Sequence, residues 1–165
     1  MRDPRLEQAE SLSREGFIAR NPGFFLLKRA KMNAPSVEAP QFGFATVATK
    51  MEIDPFAHEW QVFPVIKRAE NPFPERLTIG RAPNNDIVLR VPFVSKVHAH
   101  ILIGPDGSFR LRDNRVSHGT FHNGKRIAPG EECPLSLGDV LGFGSLELEL
   151  VGGSRLHDIL TTEAR

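Results

Sequence analysis

Between Glu59 and Val151 the chain is a series of short apolar runs separated at regular intervals by turn-forming residues. In the last run, Leu146, Leu148 and Leu150 alternate with glutamates, a period of two that buries one face of a strand and leaves the other in water. Many short runs of this kind with frequent turns predict strands that pack as two sheets or close into a barrel. We therefore expect an all-β domain here, and we favour an antiparallel β-sandwich.

The individual strands can be placed along this segment. Pro64 favours an edge position for the first one, and Asn123–Gly124 is a strong two-residue hairpin signal. Before the alternating run that starts at Leu146, the predicted strands are Gln61–Lys67, Leu77–Ile79, Ile87–Leu89, Val97–Ile103, Phe109–Asp113, Thr120–His122, Arg126–Ile127 and Val140–Phe143.

The flanks differ in composition from this central segment. Residues 1–58 are predicted to form an N-terminal extension, partly helical and partly irregular, either packed on the sandwich or forming an arm. Its first 20 residues predict one helix that ends near Asn21, and Phe42–Ile53 is a further strand candidate. Residues 152–165 predict a tail with a short helix, for which Ser154 is a candidate cap. The sandwich domain itself is assigned to residues 59–151.

Length and composition limit the class of protein and its cellular location. A chain of 165 residues with 40% hydrophobic and 25% charged residues has the length and composition of one globular domain. The longest purely apolar run, Phe24–Leu27, is too short to span a bilayer, and the charged first residues carry no signal-peptide core. A single cysteine, Cys133, excludes a disulfide framework. We expect a cytoplasmic location and no membrane partner.

The residues that an enzyme would need are not recognisable in the sequence. Cys133 stands beside glutamates with no base that would favour a thiolate, and the chain has neither a Gly-x-Ser-x-Gly elbow nor a phosphate-binding P-loop. We therefore predict a protein without catalytic residues, cofactor or metal. A zinc site stays an open alternative, in which four histidines would converge: His98, His100, His118 and His122. No carboxylate or cysteine completes a known ligand spacing with them.

The net charge of +1 conceals a local asymmetry. Between Arg81 and Arg126 there are eight basic and three acidic residues, a local charge of +5. These basic residues are spread over several elements without interleaved aromatics, which disfavours nucleic acid. The ordinary explanation is a solvated charged face. The alternative is an anion site, because the loops Gly80–Arg81, Ser95–His98 and Ser117–Thr120 would supply a guanidinium, an ammonium, hydroxyls and backbone amides to a phosphate.

These loops belong to a longer signature with a fixed order. It consists of Gly80-Arg81, Asn85-Asp86-Ile87, Ser95-x-x-His98-Ala99, Gly119-Thr120-x-x-Asn123-Gly124, Leu137-Gly138-Asp139 and Phe143-Gly144. With this signature, the segment from about Glu59 to Val151 resembles a forkhead-associated (FHA) domain, a reader of phosphothreonine peptides. The resemblance implies an FHA/SMAD-like sandwich of about 11 short strands.

The resemblance also implies roles for individual residues. Arg81 would pair with the phosphate, while Ser95 and Ser117 would donate hydroxyl hydrogen bonds to it and Lys96 would contact phosphate or peptide. Support would come from residues that shape these loops and the hairpin beyond them, namely Gly80, His98, Gly119, Thr120, Asn123 and Gly124. His118 stands where the family usually has an asparagine that contacts the peptide main chain. An imidazole cannot present a carbonyl and an NH2 together, so peptide register should differ here.

The resulting functional hypothesis is a non-enzymatic module that recognises phosphothreonine on a protein partner, downstream of a Ser/Thr kinase. The alternative is a scaffold with a degenerate site, which binds partners without phosphate through residues 1–58 or a sheet face. The sequence identifies neither the partner and kinase nor the flanking residues that the site would prefer.

Overall fold

In the computed structural model, residues 3–30 and 54–163 are described and form eleven strands and three helices. Two helices, α1 (Pro4–Ser11) and α2 (Arg14–Arg20), come first and α3 (Gly153–Thr162) comes last. The strands are β1 (Phe24–Lys28), β2 (Gln61–Pro64), β3 (Arg76–Gly80), β4 (Ile87–Val88), β5 (Ala99–Ile103), β6 (Phe109–Asp113), β7 (Thr120–His122), β8 (Lys125–Arg126), β9 (Glu132–Pro134), β10 (Val140–Phe143) and β11 (Leu146–Gly152).

The strands form two sheets that face each other. A six-stranded sheet has the order β2-β1-β11-β10-β7-β8, and a five-stranded sheet has the order β4-β3-β5-β6-β9. All the strand pairs are antiparallel except β3 with β4, which is parallel. The prediction of an all-β sandwich of about 11 strands is confirmed, and one parallel pair is added to it.

The core between the sheets follows from the alternation of side chains along each strand. Leu77, Ile101 and Leu111 point inward from the five-stranded sheet and are fully buried. They meet Phe143 and Leu148 of the six-stranded sheet. Because the inward positions of both sheets are apolar, the strand ends and the loops between them are held at fixed places on this core.

The hairpin at Asn123–Gly124 and the edge position of β2 agree with the prediction. Asn123 has φ of +49° and Gly124 has φ of +82°, the left-handed conformations that a tight two-residue turn between β7 and β8 requires. Strand β2, which contains Pro64, lies at the edge of the six-stranded sheet.

Strand β1 lies within the range that we assigned to the extension. It pairs with β11 on one side and with β2 on the other, so residues 24–28 are an inner strand of the six-stranded sheet. Buried Lys28 donates hydrogen bonds to the carbonyls of Phe56 and Glu59 and pairs with Asp54 at 3.5 Å. The division at residues 58 and 151 stays a prediction. The strand candidate at Phe42–Ile53 lies outside the described residues.

The N-terminal helical segment is two helices and not the single helix that we expected. Leu12 has extended dihedrals, and the Ser13 side chain accepts a hydrogen bond from the Gly16 amide, so Ser13 caps a new helix. The short C-terminal helix is confirmed. Ser154 does not cap it, because the helix begins at Gly153, and the Ser154 hydroxyl instead accepts a hydrogen bond from Arg14.

Candidate functional site

Arg81 follows the last residue of β3 and is held in place along its length. Its backbone N–H donates to the carbonyl of Ser95 at 2.9 Å, and its Nε donates to the carbonyl of Val94 at 3.0 Å. The residue is exposed. Within residues 3–30 and 54–163, its two terminal nitrogens have no hydrogen-bond partner. The side chain is therefore held in one position while its terminal N–H groups remain available to bind an anion.

Gly80 allows the end of β3 to approach the Ser95–Lys96 loop. A Cβ at this position would overlap the Lys96 carbonyl oxygen and would lie 2.8 Å from its carbonyl carbon. Both of these atoms belong to backbone, which cannot move aside as a flexible side chain can. Gly80 is therefore required for the contact that places Arg81 beside Ser95 and Lys96.

Buried Asn85 stabilises the same loop through side-chain hydrogen bonds. Only 1% of this residue is exposed, and its Nδ2 donates to the carbonyls of Ala82 at 2.8 Å and Lys96 at 2.7 Å. Asn85 belongs to the sequence signature, but we did not predict it as a site residue. The signal was present, because a polar side chain beside a turn in an apolar segment must satisfy its hydrogen bonds locally.

His98 joins the two loops that carry the predicted phosphate contacts. It is fully buried, its Nδ1 accepts a hydrogen bond from the Ser95 N–H at 3.1 Å, and its Nε2 lies 2.9 Å from the Gly119 carbonyl. Because one partner is a donor and the other an acceptor, the bonds require a neutral imidazole with its proton on Nε2. The ring also packs edge-on against Phe143 at 5.5 Å.

The second loop, Ser117–Thr120, is tied down at its C-terminal end. Buried Thr120 donates its hydroxyl to Asp113 Oδ1 at 2.6 Å, while the other oxygen of Asp113 accepts the backbone N–H of Arg115 at 2.8 Å. Gly119 has φ of +79°, and its carbonyl also accepts the N–H of Gly144. Asp113 is a supporting residue that sequence reasoning missed.

Ser117 and His118 are exposed on this loop. The carbonyl of Ser117 accepts a hydrogen bond from Arg126 at 3.4 Å, and the His118 ring lies 6.3 Å from that of Phe93. Arg126 is therefore a basic side chain beside the loop of Ser117 and Gly119, although we had assigned it only to a strand. Its signal was weak, since its position depends on the hairpin that folds β8 back along β7.

Asn123 and Gly124 lie in the hairpin beyond the site. Asn123 Oδ1 accepts the N–H of Val140 at 2.8 Å, and its Nδ2 donates to Asp139. Burial alone raises the pKa of Asp139, but hydrogen bonds from His122, the Ser136 amide and Asn123 outweigh it, so that the pKa is lowered. These contacts are consistent with structural support of the hairpin.

The histidines are separated by the fold. We expected His98 and His100 to share a face of one strand, but β5 begins at Ala99, and His98 turns into the core while His100 lies half-buried on the outer face. The described parts of the chain contain no group of three or more metal-ligating side chains.

The structure thus brings three stretches of chain together at one end of the sandwich. We call this the loop edge: residues 80–82, residues 94–98 and residues 117–120. Backbone hydrogen bonds join the first two stretches, and His98 joins the second to the third. The assignment of Arg81, Ser95, Lys96, Ser117 and His118 as phosphopeptide contacts stays a prediction.

The architecture is therefore a two-sheet sandwich whose connecting loops carry basic and hydroxyl side chains. Residues 77–144, which lie within the sandwich, match the family model of the FHA domain, and this match confirms the resemblance found in the sequence.

Similar proteins were found by sequence and by structure. An ABC transporter ATP-binding/permease protein of Mycobacterium tuberculosis is 38% identical over 81 residues, which cover 49% of this chain and 9% of that protein. Human kanadaptin is 40% identical over 75 residues, which cover 39% of this chain and 10% of kanadaptin. This chain therefore spans about a tenth of the length of these curated relatives.

A crystal structure of an FHA domain from Chlamydia trachomatis has the same fold. It superposes with a TM-score of 0.50 at 23% identity, covering 78% of this chain and 97% of that one. Among residues 3–30 and 54–163, no helix is long and apolar enough to cross a membrane.

Proposed function

We propose that this chain binds a phosphothreonine on a protein partner through the loop edge. The observation that carries the proposal is the arrangement of Arg81, whose stem is hydrogen-bonded to the backbone of Val94 and Ser95 while its terminal nitrogens have no partner among the described residues. A phosphate monoester carries nearly two negative charges at neutral pH and three acceptor oxygens, which match a guanidinium held in this way.

The other side chains supply complementary contacts. In our proposal the Ser95 and Ser117 hydroxyls donate hydrogen bonds to the phosphate, and Lys96 adds a point charge. Because His98 fixes the Ser95 amide and the Gly119 carbonyl, the loops need little reordering when the peptide binds, which favours affinity. The proposed preference for threonine is supported by the match of residues 77–144 to the family model of the FHA domain.

Further details of the function stay predictions. We propose that a Ser/Thr kinase creates the binding site on the partner, that His118 alters the peptide register, and that the protein acts in the cytoplasm without catalysis.

The test is a binding measurement with a matched control. A phosphothreonine peptide selected from an oriented library is titrated into the protein by calorimetry, and so is the same peptide without phosphate. We expect binding of the phosphorylated peptide alone. Arg81→Ala should lose about 1.5–3 kcal/mol, roughly tenfold to a hundredfold in Kd, because a charge-assisted hydrogen-bond pair is lost.

Arg90→Ala is the control, because Arg90 is also exposed but lines a separate groove with Trp60 and Phe63. It should change the Kd by less than about twofold. Equal affinity for the two peptides, or unchanged binding by Arg81→Ala, would contradict the proposal. Partners retained from a phosphatase-treated lysate would then favour the phosphate-independent scaffold.

A further inference from the structure

The outer face of the five-stranded sheet carries basic side chains that the loop edge does not use. Arg76 lies on β3, His100 on β5 and Arg112 on β6, and Arg115 follows β6. His100 is the direct cross-strand partner of both Thr78 and Arg112. Arg112 is therefore its immediate neighbour, and Arg76, two residues before Thr78, is a diagonal one. Three strands and one loop thus place four basic groups together.

These groups surround a recess of about 160 Å³. Arg76, His100, Arg112 and Arg115 line it, with Asp113 as the one carboxylate among its described lining residues. Asp113 is 3% exposed, and both of its oxygens are engaged, one by the Thr120 hydroxyl and one by the Arg115 amide. Both oxygens therefore accept from neutral donors, and this one negative charge offsets only part of the charge of the three guanidinium groups.

The charge of the recess is otherwise uncompensated. In the described parts of the chain, no carboxylate forms an ion pair with Arg76, Arg112 or Arg115, whereas neighbouring Arg110 pairs with Glu132 at 3.3 Å. Arg76 and Arg112 flank His100 from the two strands that pair with β5, and like charges held close together repel one another. An anion from outside the chain would therefore stabilise this cluster, whereas Arg110 already has a carboxylate partner.

Arg76 is already held in its place. Its guanidinium carbon lies 3.8 Å from the centroid of the Phe73 ring, a close cation–π stack. Its Nε is buried and has no hydrogen-bond partner within residues 3–30 and 54–163. A buried polar atom of this kind calls for an explanation, and a ligand of the recess would supply one if the side chain shifted toward it.

We propose that this recess is a second anion site, which takes a phosphate monoester dianion. Planar guanidinium groups match the tetrahedral oxygens of phosphate in a fork that a point charge cannot reproduce. A dianion also offsets more of the cluster's charge than a single carboxylate would. Since one water occupies about 30 Å³ of liquid, the recess admits a compact oxyanion with a few waters. None of the five predicted phosphopeptide contacts lines it, so the proposal does not rest on the proposed function.

His100 provides a reporter inside the site. Its pKa is lowered first by burial and then by the positive charges of Arg76 and Arg112. A bound dianion opposes the effect of the two arginines, so that the pKa of His100 rises when the site fills. This change is a response that a distant binding event or a purely structural role of the arginines would not produce.

The experiment follows the His100 imidazole resonances by NMR in the full chain carrying Arg81→Ala, which weakens the loop edge. Inorganic phosphate is the first probe. We expect a saturable shift of His100 and an increase of its pKa. Arg112→Gln and Arg115→Gln should each weaken binding by about tenfold, while the matched control Arg110→Gln should change it by less than about twofold. All three arginines are exposed, and the amide spectrum verifies that each variant is folded.

A phosphoserine tripeptide is the second probe, and it distinguishes the source of the phosphate. Tighter binding than inorganic phosphate assigns the site to a phosphorylated protein, and equal or weaker binding assigns it to a small free anion. The absence of a saturable shift at His100 with both probes would overturn the proposal. So would an equal loss of affinity in Arg110→Gln and Arg112→Gln, since that result would indicate a general effect of surface charge.

Discussion

A single buried imidazole connects the two loops that would hold the phosphate. His98 accepts from the Ser95 amide and donates to the Gly119 carbonyl, and the ring that makes these two bonds is fully buried. Stability and function are therefore linked at this residue, because the bonds of the buried ring also set the distance between Ser95 and Ser117.

We predict that His98→Ala destabilises the domain by about 2–4 kcal/mol, since it opens a cavity and removes the hydrogen bonds to the Ser95 amide and the Gly119 carbonyl. Urea unfolding measures this loss. Phosphopeptide affinity should fall as well, although Arg81 is unchanged. His100→Ala is the control on the neighbouring strand position, and its half-buried outer site should cost less than about 1 kcal/mol. Equal losses in the two variants would refute the linking role of His98.

At the scale of elements, the connection from β3 to β4 is organised by the carboxylate of Asp86. It accepts hydrogen bonds from the backbone amides of Arg68 and Thr78, each at 2.7 Å, and from the Asn71 side chain at 2.7 Å. The three donors come from two separate stretches of chain. Asp86 thereby fixes the segment that precedes β3 against the turn that holds Asn85 in the loop edge.

This arrangement predicts a dependence of stability on pH. Burial raises the pKa of Asp86, but the hydrogen bonds from Arg68, Thr78 and Asn71 together lower it more, so that the folded pKa lies below the ordinary value. The folded state therefore gains stability that is complete above the unfolded pKa, about 4, and that is lost as the pH falls through the lower folded pKa.

Asp86→Asn should consequently lower the free energy of unfolding by about 1.5–3 kcal/mol at pH 7, because hydrogen bonds to a charged acceptor are lost. The difference from the unsubstituted protein should shrink as the pH falls below about 4. Urea titrations of both proteins at several pH values measure this convergence. A difference that stayed constant down to pH 3 would mean that the Asp86 charge contributes nothing.

Most elements were predictable because their signals are local. The alternation of Leu146, Leu148 and Leu150 and the Asn123–Gly124 turn depend on residues within a few positions of one another, and both predictions are confirmed. The same holds for β6, which was placed at Phe109–Asp113 as observed.

The two missed strands lack such a local signal. Strand β1 is a continuous apolar run, because each of its faces meets a different core, and a run of that kind does not distinguish strand from helix. Strand β9 has three residues, Glu132–Pro134, and exists only because β6 offers it a partner. Loop contacts such as that of Asn85 with Lys96 join residues eleven positions apart and likewise require the folded chain.

At the scale of the whole molecule, the six-stranded sheet separates two hydrophobic cores. Leu26 of β1 faces the core between the two sheets, while its neighbours Phe25 and Leu27 face a second core formed with the helices. Phe17 of α2 is buried in that second core, and half-buried Trp60 packs against it. The helical segments are therefore a layer of the folded domain, linked to the sandwich through β1.

Since one strand contributes to both cores, we predict that they unfold together. Trp60, the one tryptophan of the chain, reports on the second core by fluorescence, and hydrogen exchange of the Ile101 and Leu111 amides reports on the first. Phe17→Ala should destabilise the protein by about 3–5 kcal/mol as seen by both probes, although Phe17 belongs to the second core and not to the core between the sheets. If Phe17→Ala instead moved the Trp60 transition and left Ile101 and Leu111 protected, the helices would be a separately melting layer, and the loop edge would not depend on them for its stability.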